Sequence, residues 1–103
     1  MRQFDVYQNP SPRSRHAAPY VVVLQSHFLA ATPTVIVAPL LIDDDRSAYS
    51  EASVKVLFGG DRYVLSIPEL AGIEPSQLKR RLGALNDYDY EIRRALDRLF
   101  TGF

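Results

Sequence analysis

The chain has 103 residues, enough to bury about two-thirds of its unfolded surface in one core and too few for two full domains. Apolar residues make up 47% and charged residues 23%, a globular mix that argues against disorder along the whole length. Twelve Lys and Arg balance twelve Asp and Glu, so no net charge draws the chain to phosphate backbones, and the absence of Cys excludes disulfides, Cys-ligated metals and a Cys nucleophile.

Residues 3–8 alternate, with Phe4 and Val6 against Gln3, Asp5 and Tyr7, which predicts a half-buried strand. Asn9-Pro10-Ser11-Pro12 stops it, and the polar stretch to Ala18 reads as a loop carrying Arg13, Arg15 and His16. Tyr20 to Leu24 is dense in strand formers without alternation, as expected where both faces are covered or one meets a partner. A break from His27 to Pro33 precedes a second strong strand, Val35 to Leu40, in which Pro39 suggests an edge or a bulge. Asp43-Asp44-Asp45-Arg46 reads as a solvated turn. Ser53 to Phe58 and Tyr63 to Leu65 flank Gly59-Gly60-Asp61, the best hairpin signal in the chain.

From Ser66 the character changes. Pro68 to Ala71 suits one helical turn with Pro near its start. Pro75 to Leu82 predicts a second short helix, stopped by Gly83. Asn86 and Asp87 are candidate caps for a last helix, in which Tyr88, Ile92, Ala95, Leu96 and Leu99 keep the 3.6-residue rhythm. Phe100 continues that stripe and is expected in the core. About five strands followed by helices argue for an α+β fold, or a small barrel carrying a helix, in a single domain over residues 1–103.

No motif carries catalysis. His16 and His27 lack the companions a metal site needs, and Asp43-Asp44-Asp45 lacks the Gly and Glu of a calcium loop. No Lys-Ser/Thr pair follows Gly59-Gly60, as a phosphate loop requires. Arg13, Arg15 and His16 suit an RNA-cleaving site, where Arg clamps phosphate and His moves protons, and suit an ordinary basic loop equally well. A binding module without cofactor or metal is the expectation. The last residue, Phe103, calls for burial against its own domain or against a partner. The start, Met1 to Asp5, is too polar for a signal peptide and no apolar run reaches the roughly 18 residues of a membrane span, so the expected location is cytoplasmic.

The sequence resembles the CcdB-type toxins of type II toxin–antitoxin modules. The likeness rests on Met1-Arg2-Gln3-Phe4-Asp5-Val6-Tyr7, Gln25-Ser26, Thr32-Pro33, Pro39-Leu40, Gly60-Asp61 with Tyr63, and above all Asp89 to Phe103 with Ile92, Ala95, Leu99-Phe100 and Gly102. It implies a homodimer of SH3-like barrels, about five antiparallel strands each, with a C-terminal helix and no catalysis. It further implies binding to the A subunit of DNA gyrase, trapping of the gyrase–DNA cleavage complex, and neutralisation by an antitoxin with a disordered acidic tail. The pair would repress its own operon, with operator DNA contacted through the antitoxin.

Carried over residue by residue, the gyrase-contacting end falls on Thr101, Gly102 and Phe103, two apolar contacts on Phe28 and Leu29, and a helix position on Asp97. Thr101 replaces the family's aromatic, which stacks on an Arg of gyrase. Arg93, Arg94 and Arg98 are the expected antitoxin contacts. The alternatives are a divergent relative with weak or no gyrase activity and another target, and an endoribonuclease toxin on a related barrel.

Overall fold

A computed structural model describes residues 1–26, 33–44 and 52–102. These hold seven strands: β1 (Asp5–Gln8), β2 (Tyr20–Val23), β3 (Val35–Ile42), β4 (Ser53–Phe58), β5 (Asp61–Ser66), β6 (Ala71–Ile73) and β7 (Arg81–Ala84). One helix, α1 (Asp89–Thr101), follows them. The strands form a single antiparallel sheet in the order β4-β5-β3-β2-β1-β7, with β6 added beside β3. The α+β expectation holds, with two strands more than anticipated.

The predicted hairpin is β4–β5, with Phe58 opposite Asp61. Gly59 and Gly60 have φ of 61° and 88°, the pair of positive values that a tight hairpin turn requires and Gly supplies without a Cβ clash. The sheet curls until its two end strands meet. A Cβ on Gly83 of β7 would lie 2.7 Å from Cε1 of Phe58 at the end of β4. Beside this contact the Leu57 N–H donates to the Tyr88 hydroxyl at 3.0 Å.

Packing on both sides of the sheet explains the unbroken Tyr20–Leu24 run. Val22 and Leu24 join Val6, Leu40, Leu65, Ile67, Ile92 and Ala95 in the core that α1 covers. Val21 and Val23 join Tyr7, Val35, Val37 and Leu78 on the opposite face. Fully burying one such side chain is worth about 1.5–3 kcal/mol. β1 is therefore not half-buried as its alternation predicts, for Phe4, Asp5, Val6 and Tyr7 are all buried. Asp5 is accommodated because its carboxylate accepts from Arg81 Nε at 2.9 Å and from the Arg2 N–H at 2.8 Å.

Other expectations need correction. Pro75 opens only a 3-10 turn, Pro75–Gln77, and the chain then extends into β7. The extended form lets Leu78 reach the outer core and gives β1 a second ladder partner. The β1–β7 register shifts between Val6 and Tyr7, leaving Leu82 opposite no residue of β1. Gly83 is thus a strand residue where Phe58 comes close, not a helix stop. Pro68 does sit in the first turn of a 3-10 segment, Ile67–Glu69, but Ala71 and Gly72 belong to β6.

Pro39 lies in an interior strand. The Ile36 N–H donates to Gln25 Oε1 and its C=O accepts from Leu24, so alternation turns Pro39 away from β2. On that side β6 pairs with Val35–Val37 and β5 with Leu40–Ile42, and Pro39 falls between the two registers, where a missing N–H costs no ladder bond. Neither Asn86 nor Asp87 caps α1, since a 3-10 turn, Asn86–Tyr88, leads directly into it and Tyr88 holds the N-cap position.

Candidate functional site at the end of the C-terminal helix

Ile92 and Ala95 are the buried residues of α1, and they fix which face of the helix meets the sheet. At 3.6 residues per turn, Tyr90, Arg94, Asp97 and Thr101 fall on one opposite, outward stripe. All four are exposed. The Arg94 guanidinium lies 5.7 Å from the Tyr90 ring centroid and donates to its hydroxyl at 3.1 Å. That hydrogen bond is the main cause holding the Arg94 pKa above its ordinary value.

The last turn is finished by two bonds. Thr101 Oγ1 donates to the Asp97 carbonyl at 2.6 Å, and the Gly102 N–H donates to the Arg98 carbonyl at 3.1 Å. Gly102 is left-handed, φ 79° and ψ 8°, and a Cβ there would meet nothing within 4 Å. This is the ordinary helix-ending use of Gly.

Asp97, Thr101 and Gly102 therefore come together at one end of α1. Phe28, Leu29 and Phe103 lie outside the described residues, as does His27. Phe100, expected in the core, is 69% exposed, and Leu99 beside it is 37% exposed. Phe100 sits about 80° around the helix from Ile92, at the edge of the stripe that meets the sheet. The end of α1 consequently presents an aromatic ring one residue before Thr101.

The three arginines do not act alike. Arg93 pairs with Asp89, donates from Nη2 to Gln3 Oε1 at 3.2 Å, and lies 5.7 Å over the Phe4 ring. Arg94 and Arg98 lie further round, Arg94 exposed on Tyr90 and Arg98 half-buried. Phe4 and Gln3 carried no sequence signal for a role at this helix. The signal is conformational, because Phe4 is the only non-glycine with positive φ, 72°, among the described residues.

The Arg13, Arg15 and His16 loop is organised by Asn9. Its Nδ2 donates to Ser14 Oγ at 2.9 Å and to the Ala18 carbonyl at 2.8 Å. Arg15 Nε is committed to the Asn9 carbonyl at 2.9 Å, while Arg13 and His16 point into solvent. An open groove of about 1410 Å³ runs between this loop and the Lys79-Arg80 pair, with Val21, Val37 and Pro39 on its floor. No group of His, Asp and Glu that could hold a metal ion is present among the described residues.

The family model described as CcdB protein matches residues 3–102, which span the sheet, α1 and Gly102. The chain belongs to the CcdB family. CcdB proteins are toxins, and the matched region includes the whole last turn of α1 with Asp97, Thr101 and Gly102. Comparison with curated proteins gave no match. Among the described residues no helix is long and apolar enough to cross a membrane.

Proposed function

We propose that this CcdB-family chain is the toxin of a type II toxin–antitoxin module that binds the A subunit of DNA gyrase and traps the gyrase–DNA cleavage complex. It works as a homodimer of SH3-like barrels in the cytoplasm, without catalysis or cofactor. A cognate antitoxin with a disordered acidic tail neutralises it, and the complex represses its own operon through DNA contacts made by the antitoxin.

The observation that carries this reading is the exposed end of α1. Phe100 and Leu99 present apolar surface, and a Cβ on left-handed Gly102 would meet nothing within 4 Å. A partner arginine has an aromatic face there even though Thr101 replaces the family's own. Loss of one stacked guanidinium costs about 0.5–2 kcal/mol, and each 1.4 kcal/mol is tenfold in affinity. Poisoning is thus expected to survive in weakened form.

The test uses purified gyrase, supercoiled plasmid and ATP, with linear DNA released by detergent and protease. The wild-type dimer is expected to give some linear DNA and Thr101→Trp more at equal concentration. No cleavage by either protein, with a gyrase that responds to another family toxin, would sink the gyrase reading. A second reading, a divergent family member with another target, is favoured by the Thr101 hydroxyl being spent on the helix's own Asp97 carbonyl.

A further inference from the structure

Phe4 holds a left-handed backbone conformation, φ 72°, that L-residues rarely adopt, yet its ring is buried in the core at 3% exposure. The surrounding bonds over-determine it. Its N–H donates to the Val23 carbonyl at 2.6 Å and its C=O accepts from the Leu85 N–H at 2.9 Å. The left-handed turn at Phe4 accompanies a particular placing of Gln3. The Gln3 amide donates from Nε2 to the Leu24 carbonyl at 2.8 Å and accepts at Oε1 from Arg93 at 3.2 Å. One side chain thus joins the exit of β2 to α1. Arg93 is held on three sides, by Gln3, by Asp89 and by the Phe4 ring.

We infer that Gln3, seated by the strained Phe4 backbone, is a positioning residue for the target-binding end of α1, acting through Arg93. Strain kept at a site that surrounding contacts over-determine is a mark of pre-organisation. The bracket grips α1 at its second turn, about one turn before Asp97 and two before Thr101. It reinforces the helix rotation that buried Ile92 and Ala95 set, and with it the direction in which the outward stripe and the Phe100 ring face. Arg93, one of the expected antitoxin contacts, is thereby also given a role inside the molecule. The binding part of this inference rests on the gyrase reading above, while the bracket itself does not.

Two measurements on the full-length dimer separate these parts. Amide exchange along residues 89–101 reads the bracket without any partner. Gln3→Ala is expected to speed exchange in the last two turns of α1 several-fold, at an unfolding midpoint close to wild type. Affinity for immobilised gyrase A subunit reads the consequence. Gln3→Ala is expected to weaken binding about fivefold to tenfold, through a less well-held helix end. If Gln3 acts through Arg93, the double variant Gln3→Ala/Arg93→Ala binds no more weakly than Arg93→Ala alone.

A residue that only stabilised the fold would shift the midpoint and would add to Arg93→Ala. Additive losses overturn the inference, as do unchanged exchange or, where wild type binds, unchanged affinity for Gln3→Ala. If wild type itself fails to bind gyrase, the gyrase reading and the binding role fall together, and the exchange data still decide whether the bracket exists.

Discussion

Replacing Gly83 by Ala tests how the sheet closes. The new methyl carbon would stand 2.7 Å from Cε1 and 3.1 Å from Cζ of Phe58, where carbon atoms prefer about 3.5–4.0 Å. The ring has to retreat by roughly 1 Å to restore that distance. It is not free to do so. Phe58 meets Tyr20 edge-on at 5.3 Å, and Tyr20 in turn meets Tyr63 at 5.5 Å. Overpacking of this kind costs about 1–3 kcal/mol. For a domain of this size each kcal/mol lowers the melting temperature by about 4–8 °C. Gly83→Ala is therefore expected to melt roughly 4–24 °C below wild type in near-ultraviolet circular dichroism.

The partner of the clash can be removed. In a Phe58→Leu background the ring is gone, and adding Gly83→Ala is expected to cost less than about 0.5 kcal/mol. A Gly ending a helix in the left-handed region would behave differently. Its cost would be local backbone strain and would persist in the Phe58→Leu background. A Gly83→Ala protein melting within about 2 °C of wild type, or an equal loss in both backgrounds, would refute the close approach of β4 and β7.

Three further outcomes are expected. Gly102→Glu should abolish toxicity on overexpression while costing only about 1 kcal/mol of stability, because its Cβ faces open space and only the left-handed φ is strained; an equally toxic variant would show that the chain end makes no contact. Burial is the main cause raising the pKa of Tyr7 and of Tyr63 above 10.0. The stability linked to their neutral forms is then complete below pH 10 and is lost as pH climbs through the raised native values, so melts from pH 8 to 12 should fall above about pH 10, and less steeply for Tyr63→Phe. An acidic peptide partner should associate more slowly as salt rises; a salt-independent on-rate would remove the electrostatic role of α1.

Local chemistry made part of the fold legible. Gly59-Gly60 between two alternating runs needs only four or five neighbours to declare a hairpin, and Ile92 and Ala95 declare the buried face of α1 by spacing alone. Residues 75–84 mislead a local reading for the opposite reason. Leu78 and Leu82 are spaced like one helical turn, but their environments are set by β1, some seventy residues earlier. Gly83 reads as a stop wherever the next element is unknown. Only the curl of the sheet, which brings Phe58 to it, shows that it answers a steric demand.

The candidate site was less legible than the fold, and the reason lies in what surrounds a helix end. A stripe pattern assigns Phe100 to the core because it follows Leu96 and Leu99 closely. Burial also needs something to cover the residue, and by the last turn of α1 the ring stands in solvent. Charge counting fails in a similar way at Arg93, Arg94 and Arg98. Three cations on one helix look like one basic face, yet about 140° separates Arg93 from Arg98. Their partners divide them further, since Arg93 turns to Gln3, Asp89 and Phe4, and Arg94 to Tyr90. The same three residues would carry equal charge in any arrangement. Whether a cation greets a partner or braces its own helix is decided by what stands within hydrogen-bond reach, and here residues from the first strand region supply it.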